Sequence, residues 1–329
     1  MRAKRAKTRQ GGFVVIVVLC MVMMLSVLLL GFHHEARANL LAVDDFQKSE
    51  QALHCARAGL NIAIVAIKDS PDIHTEKIWP NLLSREHTFS IDEGKCSVTI
   101  SEESGKLNVN FLKDKSGKLN RTRVEHVLRL FDLLNQKKGG QPQIGYGLVS
   151  SIIDWTDSDD QVTYLPFVRN ETGGAESRYY NRLKPAYACR NAALETMEEL
   201  LLVKGMTPEI FDRLSDHVTV YGDGDININY ASTLVLQSLS EEMDAALAQL
   251  IVDRRKMKPF ESVAELRDLP GMTESIYNTV RRNATVESKN DFYHVISEGS
   301  VNRSSRTVVA ILNRSKETRH VDVTLYKEL

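Results

Sequence analysis

Residues 11–32, GGFVVIVVLCMVMMLSVLLLGF, decide how this chain must be built. From Phe13 to Phe32 there is no charge, and the run has the apolar length, about 20 residues, that a helix needs to cross a bilayer. Ahead of it, Met1 to Gly12 carries Arg2, Lys4, Arg5, Lys7 and Arg9. Lysine and arginine on that flank hold it in the cytoplasm. The chain beyond Phe32 is therefore expected on the far side of the membrane, reached by a single pass.

An ordinary secretory signal has a shorter apolar core followed by a small-residue cleavage site. Here the run ends Leu30-Gly31-Phe32-His33-His34-Glu35, a poor site of that kind, with Ala36-Arg37-Ala38 as the alternative cut. The distinctive break is on the near side, at Gly11-Gly12-Phe13. A glycine between a basic leader and an apolar helix opening with phenylalanine resembles the type IV pilin and pseudopilin processing site. A plain membrane anchor shares the charge and length but does not call for that junction. The resemblance implies that a prepilin peptidase cuts after Gly12, leaving Phe13 as a methylated N-terminus and the helix as anchor and assembly stem. Pilins usually carry a glutamate at the fifth mature residue, which neutralises a neighbour's N-terminal ammonium; here that position is Val17. A buried unpaired charge costs several kcal/mol, so a subunit lacking the carboxylate fits the tip of a filament better than its shaft.

The 329 residues leave room for two domains beyond the anchor. Formal net charge is −1, or −6 once the five leader cations are set aside. A mildly acidic surface repels phosphates, and no nucleic-acid partner is expected. Cys20 lies in the span; Cys55, Cys96 and Cys189 lie beyond it without zinc-like spacing. In an oxidising compartment three cysteines allow one disulfide, whose pairing stays open.

Leu53, Ala56, Leu60, Ala63, Ile64 and Ile67 recur at helical spacing, and no proline precedes Pro71. The helix is expected to run from residue 13 to about 69, its second half laying one apolar stripe on a globular head; two helices broken near Gly31 are the alternative. After a Ser70-Pro71-Asp72 turn, Thr88–Asp92, Ser97–Ser101 and Lys106–Leu112 read as strands, as do Tyr293–Glu298, Thr307–Leu312 and Val321–Tyr326. Strands early and late with helical matter between imply one sheet interrupted by an insertion. The expected division is a leader (1–12), an assembly helix (13–69), a head (70–119 and 285–329) and an inserted helical domain (120–284). The insertion includes the amphipathic run Val124, Val127, Leu128, Phe131, Leu134 and a helix over Leu194–Leu202. Lys106–Asn110 and Asp225–Asn229 share an Asn-x-Asn after a glycine turn, an echo too short to define a repeat protein.

The densest chemical constellation is Asp154-Trp155-Thr156-Asp157-Ser158-Asp159-Asp160, followed by Gly173-Gly174-Ala175-Glu176-Ser177-Arg178-Tyr179-Tyr180. Four carboxylates in seven residues repel one another unless solvated or neutralised. A hard cation such as Ca²⁺ takes six to eight oxygens; Asp157, Asp159 and Asp160 supply them from one loop and Glu176 closes from a second, with Asp154 adjacent. A solvated acidic turn is the other reading. No EF-hand glycine or terminal glutamate falls at the required position.

Asp-Trp-x-Asp-x-Asp with Gly-Ala-Glu-x-x-Tyr-Tyr resembles the large minor pseudopilin of type II secretion systems, the general secretion pathway protein K family. Further matches are Ser104-Gly105-Lys106-Leu107-Asn108-Val109-Asn110, then Val218-Thr219-Val220-Tyr221 leading to Ile226-Asn227-Ile228-Asn229-Tyr230-Ala231-Ser232, then Arg254 or Arg255 before Pro259-Phe260, and the missing glutamate at Val17. These run from residue 12 to about 325. The resemblance implies an α+β fold: a pilin-like long helix packed on a small antiparallel sheet, with a large mostly helical domain of helix-hairpin-helix or SAM-like segments inserted between strands. It also implies a structural Ca²⁺ on Asp157, Asp159, Asp160 and Glu176, with Asp154 as a further candidate, while Trp155, Tyr179 and Tyr180 pack under the loop. The partners implied are two other minor pseudopilins in a tip complex, the major pseudopilin, prepilin peptidase and the inner membrane, with the bulk of the chain periplasmic.

Leu269-Pro270-Gly271-Met272 before Ile276 and Val280 resembles a helix-hairpin-helix turn, and Val203-Lys204-Gly205-Met206 before Ile210 and Leu214 is a looser copy. Such turns hold phosphate oxygens in DNA-binding proteins but serve equally for packing helices. No His-Glu-x-x-His or nucleophile motif occurs among the nine histidines, so no catalytic role is expected. The expected function is structural: capping or initiating a periplasmic pseudopilus. A DNA-uptake minor pilin and a membrane-tethered metal-dependent enzyme are the alternatives.

Overall fold

The computed structural model describes residues 11–329 apart from 70–82, 84, 115, 137–141, 169–172 and 288–289. Most of the basic leader and the Ser70-Pro71-Asp72 turn lie outside the described residues.

Helix α1 (Gly11–Asp69) runs without a break for 59 residues, about 89 Å at 1.5 Å per residue. Gly31 sits inside it and does not divide it. The span from Phe13 to Phe32 is exposed along its length, and so are Leu40, Leu41, Val43 and Phe46 beyond it. From Ala52 onward one stripe is buried: Ala52, Cys55, Ala56, Leu60, Ala63, Ala66 and Ile67.

In chain order there follow β1 (Glu86–Ile91), β2 (Gly94–Glu102), β3 (Leu107–Asn108), α2 (Arg121–Gln136), α3 (Gly147–Thr156) and the one-turn α4 (Ser177–Tyr180). Next come α5 (Pro208–Ser215), β4 (Val218–Thr219), β5 (Ile226–Asn227), α6 (Thr233–Ser238), α7 (Ala245–Met257) and α8 (Glu274–Val280). The chain closes with β6 (Ala284–Thr285), β7 (Asn290–Val301), β8 (Ser304–Ser315) and β9 (Val321–Glu328).

Five strands form one antiparallel sheet in the order β1-β2-β7-β8-β9. Alternate residues of β2 (Cys96, Val98, Ile100) face α1 with Tyr293, Val295, Val308, Ala310 and Leu312, as the two-residue period of a strand requires. Small residues bring the layers close. A β-carbon on Gly299 would come within 2.5 Å of the Ala56 nitrogen, and one on Gly59 within 2.9 Å of Val98 Cγ2. Each large apolar side chain buried here, such as Leu60 or Ile67, contributes about 1.5–3 kcal/mol.

The insertion occupies residues 103–289, between β2 and β7, and is wider than the sequence suggests. Lys106–Leu112 is not a strand of the head sheet. Leu107–Asn108 pairs in parallel with Val218–Thr219; then the Asn108 side chain accepts the Asn110 N–H at 3.0 Å and turns the chain into a 3-10 helix over Val109–Phe111. Leu194–Leu202 is likewise no continuous helix. The Leu194 N–H is held by Asn110 Oδ1 at 2.8 Å, and a 3-10 helix over Met197–Leu202 starts only at the Thr196–Glu199 capping box.

The Asn-x-Asn echo marks two related units. In the first, Asn110 donates to the Leu194 carbonyl at 2.9 Å; in the second, Asn229 donates to the Phe260 carbonyl at 2.9 Å and accepts its N–H at 2.8 Å. Each clamp precedes a capping box (Thr196–Glu199, Ser262–Glu265) and a 3-10 helix. Each continues to a left-handed glycine, Gly205 at φ +88° or Gly271 at φ +87°, a conformation glycine adopts without a Cβ penalty. A threonine-capped helix follows (Thr207 for α5, Thr273 for α8), then a strand parallel to the opening one. The clamp spans 84 residues in the first unit and 31 in the second; the acidic loop falls in that extra length. The insertion has its own core, including Val124, Phe131, Ile153, Leu236 and Ile251. It covers the sheet face opposite α1 at Ile311 and Phe292, with Tyr221 stacked on Phe292 at 5.9 Å.

Candidate metal centre

Helix α3 is apolar around most of its circumference and buried from Leu148 to Trp155, so Asp154 is carried inside with it. Asp154 and the C-cap residue Asp157 occupy the last turn, the end of a helix where a negative charge is least favoured. Glu176 is the residue before α4. One oxygen from each of these three carboxylates lies within 4.8 Å of the others. Asp154 is 0% and Glu176 3% exposed.

Asp154 Oδ1 accepts the Thr163 N–H at 2.8 Å. Asp154 Oδ2, Asp157 Oδ1 and both oxygens of Glu176 have no hydrogen-bond partner among the described residues. Burial first, then the neighbouring carboxylates Asp154 and Asp157, push Glu176 up to about 8; burial raises Asp154 to about 6 and also raises Asp157. Leaving buried carboxylate oxygens unmatched is costly, several kcal/mol for a charged group. Gly174 completes the cradle: a β-carbon there would clash with Asp154 Oδ2 and lie 2.6 Å from the Ser150 carbonyl. Oxygen-only donors converging on one point suit a hard divalent cation such as Ca²⁺, and the residues present fit one.

Asp159 and Asp160 lie outside this three-carboxylate group and are exposed. Asp159 Oδ1 accepts the Gln161 N–H at 2.8 Å, and Asp160 Oδ1 accepts the Ser177 N–H at 3.2 Å; they shape the loop that presents the buried set. Trp155 and Tyr180 pack edge to face beneath it at 4.9 Å, whereas Tyr179 is partly exposed under the Lys204 ammonium at 5.4 Å. Sequence reasoning missed Gly174 as a steric requirement and missed Lys113 altogether. The Lys113 ammonium pairs with Asp157 and lies 3.9 Å from Asp159, and nothing in a lysine 44 residues upstream signals that.

The first hairpin braces the same loop, because Lys204 Nζ donates to the Gly174 carbonyl at 3.0 Å. In the second, Arg267 pairs with Glu274 at 3.2 Å and lies over the Tyr277 ring at 4.1 Å. Both hairpin cations are engaged in packing within the insertion.

Two family models described as type II secretion system (T2SS), protein K match residues 105–223 and 226–287, one for each unit of the insertion. The chain belongs to the type II secretion system protein K family. The type II secretion system protein K of Pseudomonas aeruginosa is 26% identical, over 94% of this chain and 90% of its own length. That of Klebsiella pneumoniae is 22% identical over 81% and 82%. In three dimensions the chain resembles a chain of the GspK–GspI–GspJ complex of the enterotoxigenic Escherichia coli type 2 secretion system. The TM-score is 0.68 at 20% identity, covering 88% of this chain and 99% of that one. The family models cover the insertion, and the likeness to the Pseudomonas aeruginosa relative takes in 94% of the chain.

Proposed function

We propose that this chain is a minor pseudopilin that caps or initiates the periplasmic pseudopilus of a type II secretion system, as part of a tip complex with other minor pseudopilins. The single observation that carries the reading is the division of α1. Its first half carries the uncharged run Phe13–Phe32 and then the exposed Leu40, Leu41, Val43 and Phe46 among polar residues, and packs on none of the described residues, while its second half is fixed to the sheet. A rod that leaves large apolar side chains bare beyond the length of the span is suited to pack against sister rods. The solved relative comes from a GspK–GspI–GspJ complex, which supports subunits of that kind as partners.

The insertion at residues 103–289 supports a terminal position, since a domain of that bulk repeated on every subunit would clash along a shaft. Val17 supports it as well: without a carboxylate at that place, a subunit above would bring an unmatched ammonium into the apolar stem. The role is structural, with the leader cytoplasmic and the head periplasmic. Intact mass of membrane-extracted protein tests the processing step. A mature chain starting at Phe13 is expected, and one starting near Asn39 would reject the pilin reading.

We infer also that Asp154, Asp157 and Glu176 hold a structural divalent cation, Ca²⁺ by their chemistry. Bound there, it supplies positive charge that ties the end of α3 to the segment leading into α4. Thr163 orients Asp154, Gly174 leaves room, and Lys204 holds the Gly174 carbonyl. Thermal unfolding with calcium or chelator tests it, because a ligand of the native state must raise the melting temperature.

A further inference from the structure

We propose that the Lys113 ammonium is the resident counter-cation of the Asp154–Asp157–Glu176 site and holds its affinity for a divalent cation down. This rests on the cation reading above and concerns how that site is tuned.

Lys113 reaches the site from a separate part of the chain. It pairs through its backbone with Leu119 across a tight turn, and that turn is fixed by Asp114 Oδ1, which accepts the Ser116 and Lys118 N–H groups at 2.8 and 3.0 Å. The lysine thus sits beside a hydrogen-bonded aspartate turn. Its side chain is 20% exposed and that of Asp157 only 7%. It pairs with Asp157 Oδ2 and lies 3.9 Å from Asp159 Oδ2, while Asp157 Oδ1 has no hydrogen-bond partner among the described residues and an Asp157 oxygen lies within 4.8 Å of Asp154 and Glu176 oxygens. One carboxylate is therefore shared between the ammonium and the three-acid group.

With all three carboxylates ionised, as they must be to hold a divalent cation, the three acids and one ammonium carry a formal charge of −2, which that cation cancels; without the lysine the set would be −3. Two cations drawn to the same carboxylate repel, and that repulsion is far stronger in a partly buried site than in water. Lys113 therefore steadies the cation-free fold and opposes the incoming ion. Loss of orientation at Asp157 is the smaller effect on removing it, since the Asp157 N–H stays bonded to the Ile153 carbonyl at 2.9 Å.

The experiment is calcium titration calorimetry on the full-length, detergent-solubilised protein, wild type against Lys113→Gln and Lys113→Arg, with melting curves in chelator. For Lys113→Gln the expected result is a Kd at least tenfold lower, a lower melting temperature in chelator and recovery of stability in calcium; Lys113→Arg stays within about threefold of wild type. An unchanged or raised Kd in Lys113→Gln would overturn the proposal. Should that variant not fold, acylation of wild-type Lys113 followed by peptide mass mapping decides: calcium should raise its reactivity at least threefold, and equal labelling would contradict the idea. Wild type that binds no calcium removes the cation reading and this proposal with it. Wild type that binds while Lys113→Gln matches it removes this proposal alone.

Discussion

Asp154 Oδ2 lies far inside van der Waals contact of the position that a β-carbon on Gly174 would take. A fully buried carboxylate and a glycine 20 residues further on therefore define one another's position. Gly174→Ala is expected to push the carboxylate aside, to cost about 1–3 kcal/mol of stability, and to abolish the calcium-dependent rise in melting temperature. Melting curves with calcium and with chelator check both effects.

The raised carboxylates predict a pH dependence with a definite sign. In chelator, Glu176 (up to about 8) and Asp154 (up to about 6) bind protons more tightly in the folded than in the unfolded chain. Their contribution to stability is full below about pH 4 and is lost as pH rises, through about 6 for Asp154 and about 8 for Glu176. Urea unfolding in chelator should thus show stability falling between pH 5 and pH 8 in wild type and a flatter profile in Glu176→Gln. Saturating calcium should remove most of the slope, because the ion replaces the protons.

Helix α1 and strand β7 meet at glycine, with no slack for a methyl group: a β-carbon at Gly299 would sit 2.5 Å from the Ala56 nitrogen and 3.0 Å from Cys55 Cβ. These neighbours are main-chain or β-carbon atoms that cannot swing away. Gly299→Val should destabilise the head by about 1–3 kcal/mol or more, read as a lower urea midpoint, while leaving the calcium response of the insertion in place.

The paired asparagine clamps predict parallel losses in the two units. Asn229→Ala leaves the Phe260 N–H and carbonyl without their side-chain partners, and Asn110→Ala does the same to Leu194. Each should cost about 1–3 kcal/mol. Asn110→Ala should also weaken calcium binding, because its clamp closes the segment that carries the acidic loop; Asn229→Ala should not. Calorimetric titration of both variants separates them.

The assembly helix and the early and late strands were legible because their signals are periodic: an uncharged run at Phe13–Phe32, a helical stripe from Leu53 to Ile67, and alternation in β2 and β8. The ends of elements were not. Lys106–Leu112 has strand-like alternation, yet Asn108 turns it by bonding its own neighbour, and Leu194 is kept extended by a side chain 84 residues away. The acidic loop was legible as composition, but which carboxylates converge depends on the depth of α3, which draws Asp154 inside and leaves Asp159 at the surface. Lys113 and the role of Gly174 are contacts between distant segments, and no local pattern encodes them.

The bare half of α1 is expected to pack against sister subunits. Photo-crosslinking from Leu41 or Phe46, both exposed apolar positions beyond Phe32, tests it most directly in secreting cells. Adducts with other pseudopilin subunits are predicted, and they should vanish when those subunits are deleted. Adducts with lipid alone, from a chain whose removal leaves secretion intact, would contradict it.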